Sequence, residues 1–341
     1  MFFSLLASCS TTDEGLLSDI SILPISGATA ILSYRESRTA IPVVELEVEG
    51  RGKFRFIVDT GANTSAIYPS SAERIGLSRR PDTERIIVRG LTGIEDRPAA
   101  TLSNLMIGSD RFNSLKVAIL SERRTPPDVD GILGTDVLSN YVLFFEPDQD
   151  QLYFLSPQDY DRLLYSDWHR VPISPLQGEM STRGLWFATT EIVSRPVPVL
   201  IDTGADFSVL NWHAARRKAD LNYVYQSLLR DWEVAGATGT FRPSVAIIFD
   251  RIEMGEHAWG GPRFLIFGLD ALEGMIGADQ PLMIAGANLF ANRRFVVDFE
   301  RSEILIDPYG PHLRDEQAIL EETTRPRNII NIGPTRGRIE D

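Results

Sequence analysis

An all-β protein with short helices, arranged as two lobes about a pseudo-twofold axis, is the architecture that this sequence predicts. The first reason is a repeat. Residues 54–77 and 197–221 each run from an apolar strand-like stretch through Asp-Thr-Gly-Ala to a Ser, an apolar pair and a helical pattern, so that Asp59 and Asp202 are equivalent and 143 residues apart. The second is patterning: residues 41–48, 141–155 and 293–306 alternate apolar and polar side chains or run strand-turn-strand. The third is the scarcity of helical periodicity, which is confined to the neighbourhoods of 70–77, 157–166 and 212–220.

Composition narrows the function. With 341 residues, 43% hydrophobic and 24% charged, the chain is long enough for two packed lobes. A formal charge of -13 repels phosphate backbones, which argues against nucleic acid as a partner. The single cysteine and four scattered histidines have no zinc-site spacing, so no metal and no cofactor is expected.

Taken in chain order, residues 1–9 (MFFSLLASC) form a short apolar segment ending in Leu6-Ala7-Ser8-Cys9. LASC resembles a bacterial lipobox, with Cys9 as the lipidated residue and a membrane tether in the periplasm as the implied location. The usual cationic n-region is missing, and an apolar N-terminus on a cytoplasmic protein is the alternative. Residues 27–155 form the expected N-terminal lobe, in which Glu49-Gly50-Arg51-Gly52 turns the strand at 41–48 into the one leading to Asp59. Glu146-Pro147-Asp148-Gln149-Asp150 lacks calcium-loop spacing and is taken as a hairpin turn. Residues 156–183 are taken as the connection, 184–310 as the second lobe, and 311–341 as a disordered tail. Because Pro196 and Pro198 fall just before the second Asp-Thr-Gly, its strand is expected to begin only after Pro198.

Further landmarks repeat in the same order. Val88-Arg89-Gly90-Leu91-Thr92-Gly93 matches Val234-Ala235-Gly236-Ala237-Thr238-Gly239, and Ile132-Leu133-Gly134 matches Ile284-Ala285-Gly286. An Asn follows each of the latter glycines by six residues (Asn140, Asn292) and an acidic residue by twelve (Glu146, Asp298).

Two carboxylates held a hydrogen bond apart supply both the base and the acid that amide hydrolysis needs without metal or covalent intermediate. Such a pair cannot ionise fully and shares a proton. Gly61 and Gly204 let each turn tighten, while Thr60 and Thr203 can send hydroxyls to backbone on the opposite loop. There is no Gly-x-Ser-x-Gly, and the one cysteine stands at the N-terminus, so serine and cysteine nucleophiles have no context.

FIVDTGANTS and LIDTGADFS, each followed by an apolar-apolar-Gly segment, resemble the retropepsin-like aspartic proteases, including the bacterial aspartyl protease family, over roughly residues 41–155 and 185–307. The resemblance implies a bilobed aspartic-protease fold of two retropepsin-like β-barrel lobes in one chain. It implies Asp59 and Asp202 as catalytic dyad, Thr60-Gly61 and Thr203-Gly204 as interlocked loops, and Gly134 and Gly286 as closing a ψ-shaped loop in each lobe. Gly90-Leu91-Thr92-Gly93 and Gly236-Ala237-Thr238-Gly239 become hairpin flaps over a polypeptide substrate. Since duplication supplies the second Asp in cis, a monomer is expected to suffice. Neither flap carries the tyrosine of pepsin-like enzymes, and Ala285 replaces a larger apolar residue. Asp206 matches an acidic residue that holds an Arg in viral relatives, or is a solvated loop Asp. A non-catalytic or latent peptide-binding module, and pairing of the loops between two chains, are the alternative readings.

Overall fold

The computed structural model describes residues 28–33, 40–77, 84–90, 93–122, 128–175, 184–216, 232–235, 241–266, 268–269, 272–273, 276–277 and 279–309. The segment 1–9 with Cys9, and the tail 311–341, lie outside the described residues. No described helix is long and apolar enough to cross a membrane.

Three large sheets carry the architecture. A six-stranded sheet runs in the order Ala28–Ser33, Gln151–Leu155, Val142–Glu146, Phe295–Asp298, Glu303–Ile306, His169–Pro172. Its two central strands come from different repeats and pair antiparallel, Phe144 opposite Val296, so the pseudo-twofold axis passes between them. Phe145 and Phe295 stack there with ring centroids 4.3 Å apart. Each repeat thus contributes its closing hairpin to a shared floor, and burial of these apolar strands fuses the lobes through one core.

Above this floor each lobe folds its own sheet, of nine and eight strands, with the same local topology. In the first, Gly52–Val58 pairs parallel with Gly131–Leu133, which pairs antiparallel with Ala66–Ile67, which pairs parallel with Leu115–Ile119. In the second, Pro196–Ile201, Met283–Ala285, Ser208–Leu210 and Arg263–Ile266 repeat that pattern step for step. Ile57, Val58, Leu200 and Ile201 at the ends of the two Asp strands are all buried, so both loops spring from rigid supports. The helix Pro69–Ile75 begins on a proline, whose missing N–H costs nothing there, and ends at Gly76 in a left-handed conformation (φ 82°).

One expectation is corrected. The second Asp strand begins at Pro196 and so contains both prolines. Parallel pairing to Met283–Ala285 starts only at Val199, so the prolines occupy a stretch that is locally an edge and needs no second set of ladder donors. The segment 156–183 is also more than a connection, for His169–Pro172 pairs with Glu303–Ile306 and Ser174–Pro175 with the strand Trp186–Glu191. His169–Pro172 closes one end of the floor as Ala28–Ser33 closes the other, and so acts as the opening strand of the second repeat. Before it, Tyr160, Tyr165 and Trp168 pack with Phe144 against the outer face of the floor.

A hairpin of Arg251–Met254 and His257–Gly260 is docked against these strands. Thr190 donates to the Glu253 carbonyl (2.6 Å), Glu256 N–H to the Arg170 carbonyl (2.9 Å), and Arg170 N–H to the Glu256 carboxylate (2.8 Å). At its centre His257 Nδ1 lies 3.1 Å from His169 Nδ1, and His257 Nε2 is buried with no hydrogen-bond partner among the described residues. Burial first, then the charges of Arg293 and His169, pull the His257 pKa down to about 4. The folded state therefore binds fewer protons than the unfolded state between pH ~6.5 and ~4. Stability that is complete above pH ~6.5 is lost as pH falls toward 4, by roughly 2–3 kcal/mol. Urea unfolding of wild type and His257→Phe at pH 7 and pH 4.5 is expected to show a smaller acid loss in the variant, and equal losses would show that His257 is not the group responsible.

Candidate active site

Each Asp-Thr-Gly loop begins where a strand of its sheet stops. Asp59 N–H donates to the Leu133 carbonyl and Asp202 N–H to that of Ala285, both at 3.0 Å. Within each loop Ala62 and Ala205 N–H turn back to the carbonyls of Asp59 and Asp202 (3.4 and 3.3 Å). The threonines then cross. Thr60 Oγ1 donates to the Ile201 carbonyl (2.9 Å) and accepts from Thr203 N–H (3.1 Å), while Thr203 Oγ1 donates to the Val58 carbonyl (2.6 Å) and accepts from Thr60 N–H (3.2 Å). Both threonines are buried, so these four bonds are shielded from competing water.

The crossing brings the two carboxyl groups together, and Asp202 shares a side-chain hydrogen bond with Asp59. Gly61 N–H donates to Asp59 Oδ1 (2.8 Å) and Ala205 N–H to Asp202 Oδ1 (2.9 Å). The glycines are required by close approach. A Cβ on Gly61 would lie 2.3 Å from Asp202 Cγ, and one on Gly204 would lie 2.3 Å from Asp59 Cγ. Each glycine therefore makes room for the carboxyl group of the opposite lobe. The pair is not equivalent in burial: Asp202 is 7% exposed and Asp59 is more open. Desolvation first, then the Asp59 charge and their hydrogen bond, holds the Asp202 carboxyl well above the usual carboxylate range.

Beneath each loop is a support that the sequence reading did not single out. Ser65 Oγ accepts from Gly134 N–H (3.0 Å) and donates to Asp136 Oδ1 (2.6 Å); Ser208 Oγ accepts from Gly286 N–H (2.9 Å) and donates to Asn288 Oδ1 (2.7 Å). The signal was present as an acid or its amide two residues after each matched glycine. Gly134 and Gly286 themselves stand where a Cβ would collide with loop backbone, 2.8 Å from the Ala62 carbonyl and 2.6 Å from Phe207 C. Asp206 accepts from Ala40 N–H (2.9 Å), which ties the second loop to the chain entering the first lobe. Thr135 donates to the Gly184 carbonyl (2.6 Å), tying the first lobe to the chain entering the second.

The remaining predicted residues form or extend hairpins. Arg85–Gly90 pairs with Gly93–Leu102, and Gly90 faces Gly93 across the ladder; Leu91 and Thr92 lie outside the described residues. In the second lobe Trp232–Ala235 pairs with Phe241–Ile248, and Gly236, Ala237, Thr238 and Gly239 likewise lie outside them. The acidic segment after Phe145 is a turn, with Gln149 N–H on the Glu146 carbonyl. No group of three or more potential metal ligands is assembled among the described residues.

Residues 44–137 match the family model described as aspartyl protease. The chain is similar in fold to the crystal structure of the aspartic proteinase from Irpex lacteus, with a TM-score of 0.53 and 13% identity, over 82% of this chain and 96% of that one. No curated protein matches it in sequence. Residues 44–137 are thus similar to the aspartyl protease family model, and the chain as a whole has the bilobed aspartic-proteinase fold.

Proposed function

We propose that the chain is an aspartic endopeptidase whose dyad, Asp59 and Asp202, is supplied in cis by its two lobes. The observation that carries this reading is the contact of two carboxyl groups from equivalent loops, cross-braced by Thr60 and Thr203. Family and fold support a protease function.

The division of labour follows from burial. Asp202, held protonated by its desolvated setting, serves as acid, and Asp59 serves as base. Asp59 takes a proton from a water lying between the carboxyl groups as the water oxygen bonds to the scissile carbonyl carbon. Asp202 gives its proton to the carbonyl oxygen, yielding a neutral gem-diol. The diol then collapses: one hydroxyl proton returns to Asp202, the proton on Asp59 passes to the amide nitrogen, and the C–N bond breaks. The pair ends with one shared proton, as it began. The hairpin at Gly90–Gly93 offers strand edges to an extended polypeptide.

The test is incubation of the purified chain with a random peptide library, read by mass spectrometry between pH 4 and 8. Cuts are expected in wild type, with and without chelator, and at unchanged specific activity on dilution. Absence of cuts at every pH would favour a peptide-binding module, and activity that falls on dilution would favour pairing between chains.

A further inference from the structure

The hairpin of the first lobe carries an ion pair on each face, Arg85–Asp96 on the exposed one and Arg97–Glu95 on the more buried one. Ile87 and Ile94 are 50% and 54% exposed. By the two-residue alternation of strands they lie on one face with Asp96, which pairs with Arg85. The opposite face carries Ile86 and Val88, which pack on the apolar cluster containing Ile57, Ala66, Leu120 and Ile132. Ile57 is two residues before Asp59 and pairs with Ile132, so this cluster abuts the Asp59 loop. Directly opposite Ile86 and Val88 in the ladder are Arg97 and Glu95. A charged pair therefore occupies the inward face, at 21% and 29% side-chain exposure, while isoleucines face out.

The details of the pair give it a direction. Arg97 Nε donates to Glu95 Oε2 (2.6 Å); Arg97 Nη2 reaches the same oxygen and also Ser121 Oγ. Arg97 is thus fixed from two sides and presents Oε2 as already satisfied. Both of its bonds fall on one oxygen, which leaves Glu95 Oε1 to accept from another donor. Glu95 is also the nearer of the two to the Gly90–Gly93 end of the hairpin. Half-burying an ion pair costs desolvation that a hydrophobic pair at the same positions would avoid, so stability does not account for it. An oriented carboxylate with one open oxygen, beside an apolar wall, fits a cationic side chain whose aliphatic stem lies on that wall.

We infer that Glu95, oriented by Arg97, sets a preference for a lysine or arginine in the substrate segment that lies under the first hairpin. This rests on the peptidase reading above, and the test separates the two. Sets of peptides differing only in a basic, neutral or acidic residue at each position are offered to wild type and Glu95→Gln. Wild type is expected to favour the basic residue at one fixed position relative to the cut, and the basic-to-neutral ratio of kcat/KM should fall roughly tenfold in Glu95→Gln. A wild-type profile with no charge preference, one favouring acidic residues, or a ratio unmoved in Glu95→Gln would overturn the inference. If nothing is cut, the peptidase reading fails, and the subsite is read by fluorescence anisotropy of the same peptides. Tighter binding of basic peptides that disappears in Glu95→Gln upholds it, and indifferent binding sinks it.

Discussion

Asp202→Asn is expected to remove peptide hydrolysis, by roughly 10²–10⁴-fold or more, while making the chain more stable at neutral pH. The kinetic half follows because an amide can neither give nor take the proton that Asp202 handles. The stability half follows from where the carboxyl group sits. Asp202 is buried, and burial and the adjacent Asp59 raise its pKa in the folded state. A raised carboxyl contributes stability that is complete below its unfolded pKa of ~3.9 and is lost as pH rises through the folded value. With no acid at position 202 the loss does not occur, so the variant should be more stable than wild type at pH 7. The gain should shrink as pH approaches 4. Urea midpoints at pH 7 and pH 4, set beside kcat/KM, check both halves. Turnover near the wild-type rate would remove Asp202 from the chemistry, and a less stable variant at pH 7 would mean that its carboxyl is ionised and well solvated.

What the sequence made visible was whatever recurred. Two Asp-Thr-Gly segments in register, with matching glycines downstream, were enough to predict paired lobes, because each landmark is fixed by its own copy as well as by local chemistry. The braces Thr60 and Thr203 were legible for the same reason. Single features were harder. His169–Pro172 has four residues, a terminal proline and a partner 131–137 residues further on, so nothing in its own pattern announces a strand. The contact between His169 and His257 comes from docking a hairpin that has no counterpart among the repeated landmarks. The prolines at 196 and 198 misled because the strand's second neighbour stops short of them, a fact of sheet edges and not of propensity. Asp136 and Asn288 sat in plain view as a matched pair, but Asp and Asn differ in charge and their shared role as acceptors for Ser65 and Ser208 appears only in three dimensions.

Gly204→Ala and Gly61→Ala should each disable the site from the opposite lobe. The added methyl on Gly204 falls 2.3 Å from Cγ of Asp59, and that on Gly61 the same distance from Cγ of Asp202. No rotamer escape is available to the intruding atom, since an alanine Cβ is fixed by the backbone. Either the carboxyl group turns away or the loop backs off, and the loop is braced by Thr60 and Thr203. Overpacking of this kind costs roughly 1–3 kcal/mol, and an ångström of displacement in a dyad costs on the order of 10²-fold in rate. Gly260 supplies the comparison, because a Cβ there meets nothing within 4 Å. Gly260→Ala should leave both activity and unfolding midpoint close to wild type. The discriminating measurement is kcat/KM alongside the urea midpoint for all three variants. If Gly204→Ala and Gly61→Ala match Gly260→Ala, the carboxyl groups have space between the lobes that this geometry denies them, and a shared proton between Asp59 and Asp202 could not be maintained.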